Sequence, residues 1–362
     1  MAPVIMQLRE YPEIVTEICA TGQHRELLDQ ALAHFDLAPE HDLAVMTEDQ
    51  SLASLTSRTM DGMSALLRRA KPQMVLVQGD TTSAMTASLA AFYERVAVAH
   101  VEAGLRTQDK YSPFPEEINR RIVGTVADLH FPPTDGAREN LLREGIAPNT
   151  VHVTGNTAID ALLWTVARLD GGNRCLPALA GRPFDTGELD GKRLILVTAH
   201  RREHYDAGIQ EICRALLKVA TLPDAEIVLP VHYNPNIRRT ILSMLAGREN
   251  IHLVEPLDYR SFAGLLGRAF IVMTDSGGVQ EEAPSLGKPV LVMRDTTERP
   301  EGIAAGNAVL VGTRASEIER VVNDLWTDDA KRARMAAVAN PYGDGKAAGR
   351  IASTVSRYLR QN

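Results

Sequence analysis

Three carboxylates and one glycine turn carry most of the chemistry this sequence can do. Asp80 stands in "VQGDTT", Glu102 in "HVEAG" and Glu116 in "FPEEINRR". Carboxylates gathered at one place raise one another's pKa and suit general acid–base work near neutrality. The stretch "TDSGGVQEE" (274–282) ends an apolar run and opens a helix. Unpaired N–H groups and the positive dipole end belong to such a start, and Ser276, Gly277 and Gly278 allow close backbone approach, so the turn reads as a phosphate cradle. Glu282 lies four residues after Gly278, one turn down the same face, where a carboxylate suits a bidentate bond to a ribose diol. Each reading has a plainer one beside it. Ser276 as an ordinary N-cap, with acidic residues favouring the dipole, explains the same letters. Pro115 followed by Glu116 and Glu117 is also a sound helix start.

The elements that must position these residues form two series of short apolar runs. The first is "VTEICA" (15–20), "MVLVQ" (74–78), "VAVAHVE" (96–102), "LHFPP" (129–133) and "VHVTG" (151–155). The second is "LILVTA" (194–199), "EIVLPV" (226–231), "IHLVEP" (251–256), "FIVMT" (270–274), "PVLVM" (289–293) and "AVLVG" (308–312). Continuous β-branched runs are strands covered on both faces, and amphipathic segments such as 23–35 and 206–220 alternate with them. That order predicts an α/β chain of parallel sheets and right-handed crossovers. A Gly- and Pro-rich stretch at 169–192 separates the series as a linker. Two Rossmann-like domains with a cleft between them are expected: 1–168, and 190–344, with a helix at 345–362 returning to the first. Ligands of open α/β sheets gather at the carboxyl ends of strands. There stand Asp80, Glu102, His200 in "TAHRRE", His232 in "PVHYNP" and Ser276-Gly277-Gly278.

Composition narrows the function. The 362 residues carry a formal net charge of −7, against the basic patch expected of a nucleic-acid or membrane-surface protein. Cys19, Cys175 and Cys213 are scattered and odd in number, which favours reduced thiols in a cytoplasm. No apolar run approaches the roughly 18 residues that span a bilayer, and no signal-peptide pattern opens the chain. No His/Cys/Asp spacing marks a metal site and no Ser–His–Asp order stands out. Chemistry by proton transfer alone, without a cofactor, is implied.

The motifs "VQGDTTSAMTASLAAFY", "HVEAGLRTQDKYSPFPEEINRR", "TGNTAIDALLW", "VTAHRRE", "PVHYNPN", "TDSGGVQEEAPSLGKPVLVMRDTTERPE" and "NPYGDG" are long and specific. Together, and in order over essentially the whole chain, they closely resemble the bacterial non-hydrolysing UDP-N-acetylglucosamine 2-epimerases. The resemblance implies a GT-B-like fold, commonly as a homodimer. It implies reversible conversion of UDP-N-acetylglucosamine to UDP-N-acetylmannosamine, by elimination of UDP to a 2-acetamidoglucal and re-addition, with neither NAD nor metal. The family's acids and bases fall on Asp80, Glu102 and Glu116, with His200 beside them. Its nucleotide contacts fall on Ser276, Gly277 and Gly278 for the phosphates, Glu282 for the ribose, Phe262 near the uracil, and Arg299. Gln23, Arg25, Glu117, Arg201 and His232 match positions linked in some members to a second, activating UDP-N-acetylglucosamine. A hydrolysing relative that releases UDP and N-acetylmannosamine, and a non-catalytic binder of the nucleotide sugar, are the alternatives. A GT-B glycosyltransferase shares the glycine turn, but the Asp80/Glu102/Glu116 set is foreign to it. Members of the family also begin with a strand and an "FGTRPE"-like loop before the "MAPVI" that opens this chain, so that strand and loop are expected to be missing here.

Overall fold

The computed structural model describes residues 1–22, 25–46, 50–169, 175–179, 183–200 and 207–362, with the backbone alone for 25–27. It divides into two compact units, Met1–Ala161 with Gly345–Asn362, and Leu162–Asp344. The first unit holds strands β1 (Cys19–Ala20), β2 (His41–Asp42), β3 (Met74–Gln78), β4 (Ala97–Val101) and β5 (Leu129–Phe131). The second holds β6 (Cys175–Leu176), β7 (Phe184–Asp185), β8 (Arg193–Thr198), β9 (Ala225–Pro230), β10 (Ile251–Val254), β11 (Ala269–Thr274), β12 (Val290–Val292) and β13 (Ala308–Leu310).

In the second unit a parallel six-stranded sheet runs in the order β10-β9-β8-β11-β12-β13. Counted from β8, that is the doubly wound order 3-2-1-4-5-6, which reverses direction between β8 and β11. Both faces are covered, which is why the strand interiors are mostly apolar. Along β8, Ile195 and Val197 join one apolar cluster while Leu194 and Leu196 join another. The segment 169–192, expected as a linker, counts with this unit, and within it β6 and β7 pair antiparallel.

In the first unit β3, β4 and β5 form a parallel sheet, and β1 and β2 a separate parallel pair. Helix Leu52–Ala70 is capped by Ser51, and helix Thr82–Tyr93 by Thr81. Both pack Met63, Leu67, Ala87 and Ala91 against Val77 and Val98. The closing helix Ala347–Gln361 joins Ile351 and Val355 to Val4, Leu8 and Phe131. Its first N–H groups lack partners within the helix, and the Asp160 carboxylate accepts from Ala347 at 3.2 Å and Ala348 at 2.9 Å. The run at 15–20 shrinks to two strand residues, with Val15 89% exposed. The run at 151–155 is reduced to one bridge, Val151 to His130, and Gly155 there turns to φ +89°. Among the described residues, no helix is long and apolar enough to cross a membrane.

Two histidines sit side by side in the first sheet, His100 on β4 opposite His130 on β5, both almost without exposure. Burial pushes His100 down to about 3 and His130 down to about 4. Both are neutral in the folded chain, whereas unfolded histidine protonates near 6.5. Above that pH neither state binds the proton and the pair is harmless. As pH falls below 6.5 the unfolded chain binds protons that the folded one refuses, so stability drops by up to about 1.4 kcal/mol per pH unit for each histidine, until pH reaches the folded values. Urea unfolding between pH 7 and 4.5 should show this slope. The His100→Gln/His130→Gln variant should flatten it; an unchanged slope would remove the assignment.

Candidate active site

The first unit delivers its candidates from adjacent strand ends. Asp80 follows β3 and Glu102 follows β4, and parallel pairing puts both ends on one edge. His100 ties the two together, its Nε2–H donating to the Gly79 carbonyl at 2.9 Å. Gln78 donates to a Glu102 carboxylate oxygen at 3.3 Å. Glu102 has φ +63°, a left-handed conformation that a residue with a Cβ adopts only when its surroundings hold it there. Two residues on, Gly104 shows why the turn is so tight. A Cβ on Gly104 would lie 2.2 Å from the Ala137 carbonyl oxygen.

Glu116 opens the helix Glu116–Val126 and is half-buried. That helix is fastened to Asp80 twice. Asn119 Nδ2 donates to the Asp80 carbonyl at 2.9 Å, and Arg120 Nε to Asp80 Oδ2 at 2.8 Å. Glu117 has no exposure, yet both its oxygens are bonded: the Thr107 N–H at 3.0 Å and Arg120 at 3.3 Å on one, Arg121 at 3.2 Å on the other. Burial alone would push the Glu117 carboxyl up, but the Thr107 N–H and the two arginines outweigh it and hold it below the usual carboxylate range.

The second unit gathers its candidates where the sheet order reverses. His200 follows β8 and Asp275 follows the neighbouring β11. Asp275 has no exposure; one of its oxygens accepts from the His200 backbone N–H at 2.8 Å, and the other lies at ion-pair distance, 2.9 Å, from the His200 ring Nδ1. The ring of the exposed His232 stacks on that of His200 at 6.1 Å. Ser276 stands at the N-cap of the helix Gly277–Glu282, but its side chain makes no capping bond. The ordinary N-cap reading of Ser276 is therefore not the one the structure adopts. The Arg299 guanidinium lies over the turn, 3.6 Å from where a Cβ on Gly277 would be, and pairs with Glu281. Glu282 is half-buried and accepts from the Tyr259 hydroxyl at 3.4 Å. Burial, with the Glu281 charge beside it, pushes the Glu282 carboxyl up to about 7, and Tyr259 draws it back. Phe262 lies three residues after Tyr259 on the helix Tyr259–Arg268, half-buried against the core.

Of the remaining candidates, Gln23 and Arg201 lie outside the described residues, as does the side chain of Arg25, whose backbone opens the helix Arg25–His34. Four further residues hold this machinery. Asp275 orients His200 and Arg120 grips Asp80. Asn340 donates to the Glu281 carbonyl at 2.7 Å, and the Tyr342 hydroxyl donates to the Arg299 carbonyl at 2.9 Å while accepting from the Gly302 N–H at 2.9 Å. The only signal in the sequence was that Asn340 and Tyr342 share the turn "NPYGDG" with no evident task.

The family model described as UDP-N-acetylglucosamine 2-epimerase matches residues 6–356. A UDP-N-acetylglucosamine 2-epimerase of Escherichia coli K12 is 48% identical over 353 residues, 97% of this chain and 93% of that protein. One of Bacillus subtilis is 46% identical over 352 residues, 97% of this chain and 90% of that protein. The crystal structure of UDP-GlcNAc 2-epimerase from Neisseria meningitidis bound to UDP-GlcNAc superposes with a TM-score of 0.85 at 42% identity, covering 99% of this chain and 96% of that one.

Proposed function

The chain belongs to the UDP-N-acetylglucosamine 2-epimerase family, and we propose that it interconverts UDP-N-acetylglucosamine and UDP-N-acetylmannosamine without net hydrolysis. The observation that carries this reading is the Asp275–His200 clamp at the reversal of a doubly wound sheet, where such folds bind nucleotides. Beside it stand a glycine turn under a guanidinium and a carboxylate one helical turn on. In this reading Ser276, Gly277 and Gly278 take the diphosphate, Glu282 the ribose diol and Phe262 the uracil.

The chemistry then needs little beyond proton transfer and charge stabilisation. A carboxylate among Asp80, Glu102 and Glu116 takes the proton from C2. The C2–H electron pair forms the C1–C2 double bond as the C1–oxygen bond to the diphosphate breaks, leaving 2-acetamidoglucal and UDP. Arg299 and His200 receive the charge that develops on the departing diphosphate, where fixed donors act without reorganising. A second acid then protonates C2 on the opposite face while the diphosphate oxygen returns to C1. The C2 hydrogen is weakly acidic, so base and charge stabilisers must act together in a fixed geometry. Three carboxylates supply the two acid–base groups that inversion requires.

The same reading extends to a cytoplasmic homodimer and to a second UDP-N-acetylglucosamine as activator, with Gln23, Arg25, Arg201 and His232 as its contacts and the unexposed Glu117 acting behind them through Arg120 and Arg121. The exposed His232 ring, stacked on His200, supports a ligand on that side of the site.

Incubation with UDP-N-acetylglucosamine in deuterated water tests the proposal. Both epimers should be recovered carrying deuterium at C2, with no accumulation of free UDP. Free UDP and N-acetylmannosamine would mean a hydrolysing enzyme. Unlabelled, unchanged substrate would mean a binding protein.

A further inference from the structure

We propose that Arg120, anchored by Glu117, is a positioning residue that sets the direction of the Asp80 carboxylate for the proton transfer. The inference rests on Asp80 acting on the sugar. Its observation is separate: one guanidinium spans two carboxylates, Nε to Asp80 Oδ2 at 2.8 Å and Nη1 to Glu117 Oε2 at 3.3 Å.

The arrangement is more specific than burial of Glu117 requires. The Thr107 N–H and two bonds from Arg121 already meet the Glu117 oxygens. Arg120 adds a fourth bond and turns its Nε to Asp80. Asn119, the preceding residue, holds the Asp80 carbonyl at 2.9 Å, so Asp80 is fixed through both backbone and side chain. Those holds come from the first turn of the helix that Glu116 opens. Two of the three candidate acid–base residues are thus kept in a set relation by one turn of helix. Among the described residues the other Asp80 oxygen, Oδ1, has no hydrogen bond, and the side chain keeps 27% of its surface exposed. Proton transfer to carbon tolerates little displacement, and side chains that hold it are themselves locked by neighbours. Only a forked cation fits, because an ammonium is one point and cannot place donors on Asp80 and Glu117 in the same geometry.

Other charges nearby are Glu102 on the adjoining strand end, Glu116 at the start of the same helix, Arg121 on the other side of Glu117, and the Met1 ammonium, which donates to Gln78. Among the described residues, none of these bonds to the Asp80 carboxylate.

The test compares Arg120→Gln, Arg120→Lys and Asp80→Asn, and combines the first with the last, reading C2 deuterium incorporation and steady-state rates. Arg120→Gln should lower kcat on the order of 100-fold with KM within about threefold, since coupled neighbours interact on that scale. Arg120→Lys should restore at most about tenfold of that loss, and being the milder change it carries the test if Arg120→Gln does not fold. In the Asp80→Asn background, Arg120→Gln should cost no more than about threefold further. A full second loss there, an unchanged kcat in Arg120→Gln, or a rise confined to KM would each overturn the assignment. Failure of the underlying reading looks different: the unaltered protein would then exchange no hydrogen at C2.

Discussion

A carboxylate shut away from water has to be matched, and at the end of β11 the match comes from the neighbouring strand. Asp275 is wholly buried, and His200 answers it with a backbone N–H and brings its ring Nδ1 within 2.9 Å. The His200 ring is 40% exposed on its own side, so what holds Asp275 is chiefly the charge-assisted bond from the backbone N–H, a kind of bond worth about 1.5–3 kcal/mol. The contact extends the β8–β11 ladder by one bond where the sheet order reverses. The glycine turn inherits its place from that contact. Thr274, the last residue of β11, accepts from the Ser276 N–H at 2.9 Å, and the helix carrying Glu281 and Glu282 starts next. Arg299 is drawn over the turn by Glu281 and held from behind by Tyr342.

The first unit solves a related problem with a different device. The carboxylates proposed to act there are half-buried, Asp80 and Glu102 just after strands and Glu116 at a helix start, so they need orientation more than neutralisation. The neutral His100 fixes the Gly79 carbonyl beside Asp80, and the Glu117–Arg120 pair fixes Asp80 itself. A left-handed backbone at Glu102 stores strain that the Gly104 turn and its contact with Ala137 sustain. Rigid supports of this kind suit a reaction whose barrier is lowered by geometry and charge.

How much of this could be read from the letters depended on range. Strands β4, β8, β9, β11 and β12 were legible because each is a continuous apolar run buried on both faces, and β3 because it is a similar run, though mostly half-buried. The runs at 15–20 and 151–155 misled for want of a partner: Val15 is exposed, and Val151 makes a single bridge. The chemistry-bearing residues were legible as polar letters just after apolar runs. What holds them was not. Asp275 meets His200 across 75 positions, Arg120 meets Asp80 across 40, and Tyr342 meets Arg299 across 43. No local pattern encodes such pairs; they exist only once the sheet order is known.

The central claim is that epimerisation passes through a broken bond between C1 and the diphosphate. Oxygen-18 placed in the bridge between C1 and the β-phosphorus of UDP-N-acetylglucosamine tests it most directly. If UDP leaves and returns, the label spreads to the non-bridging β-phosphoryl positions as C2 inverts, because the freed phosphate end rotates in its seat. A label that stays in the bridge while both epimers accumulate would contradict the account.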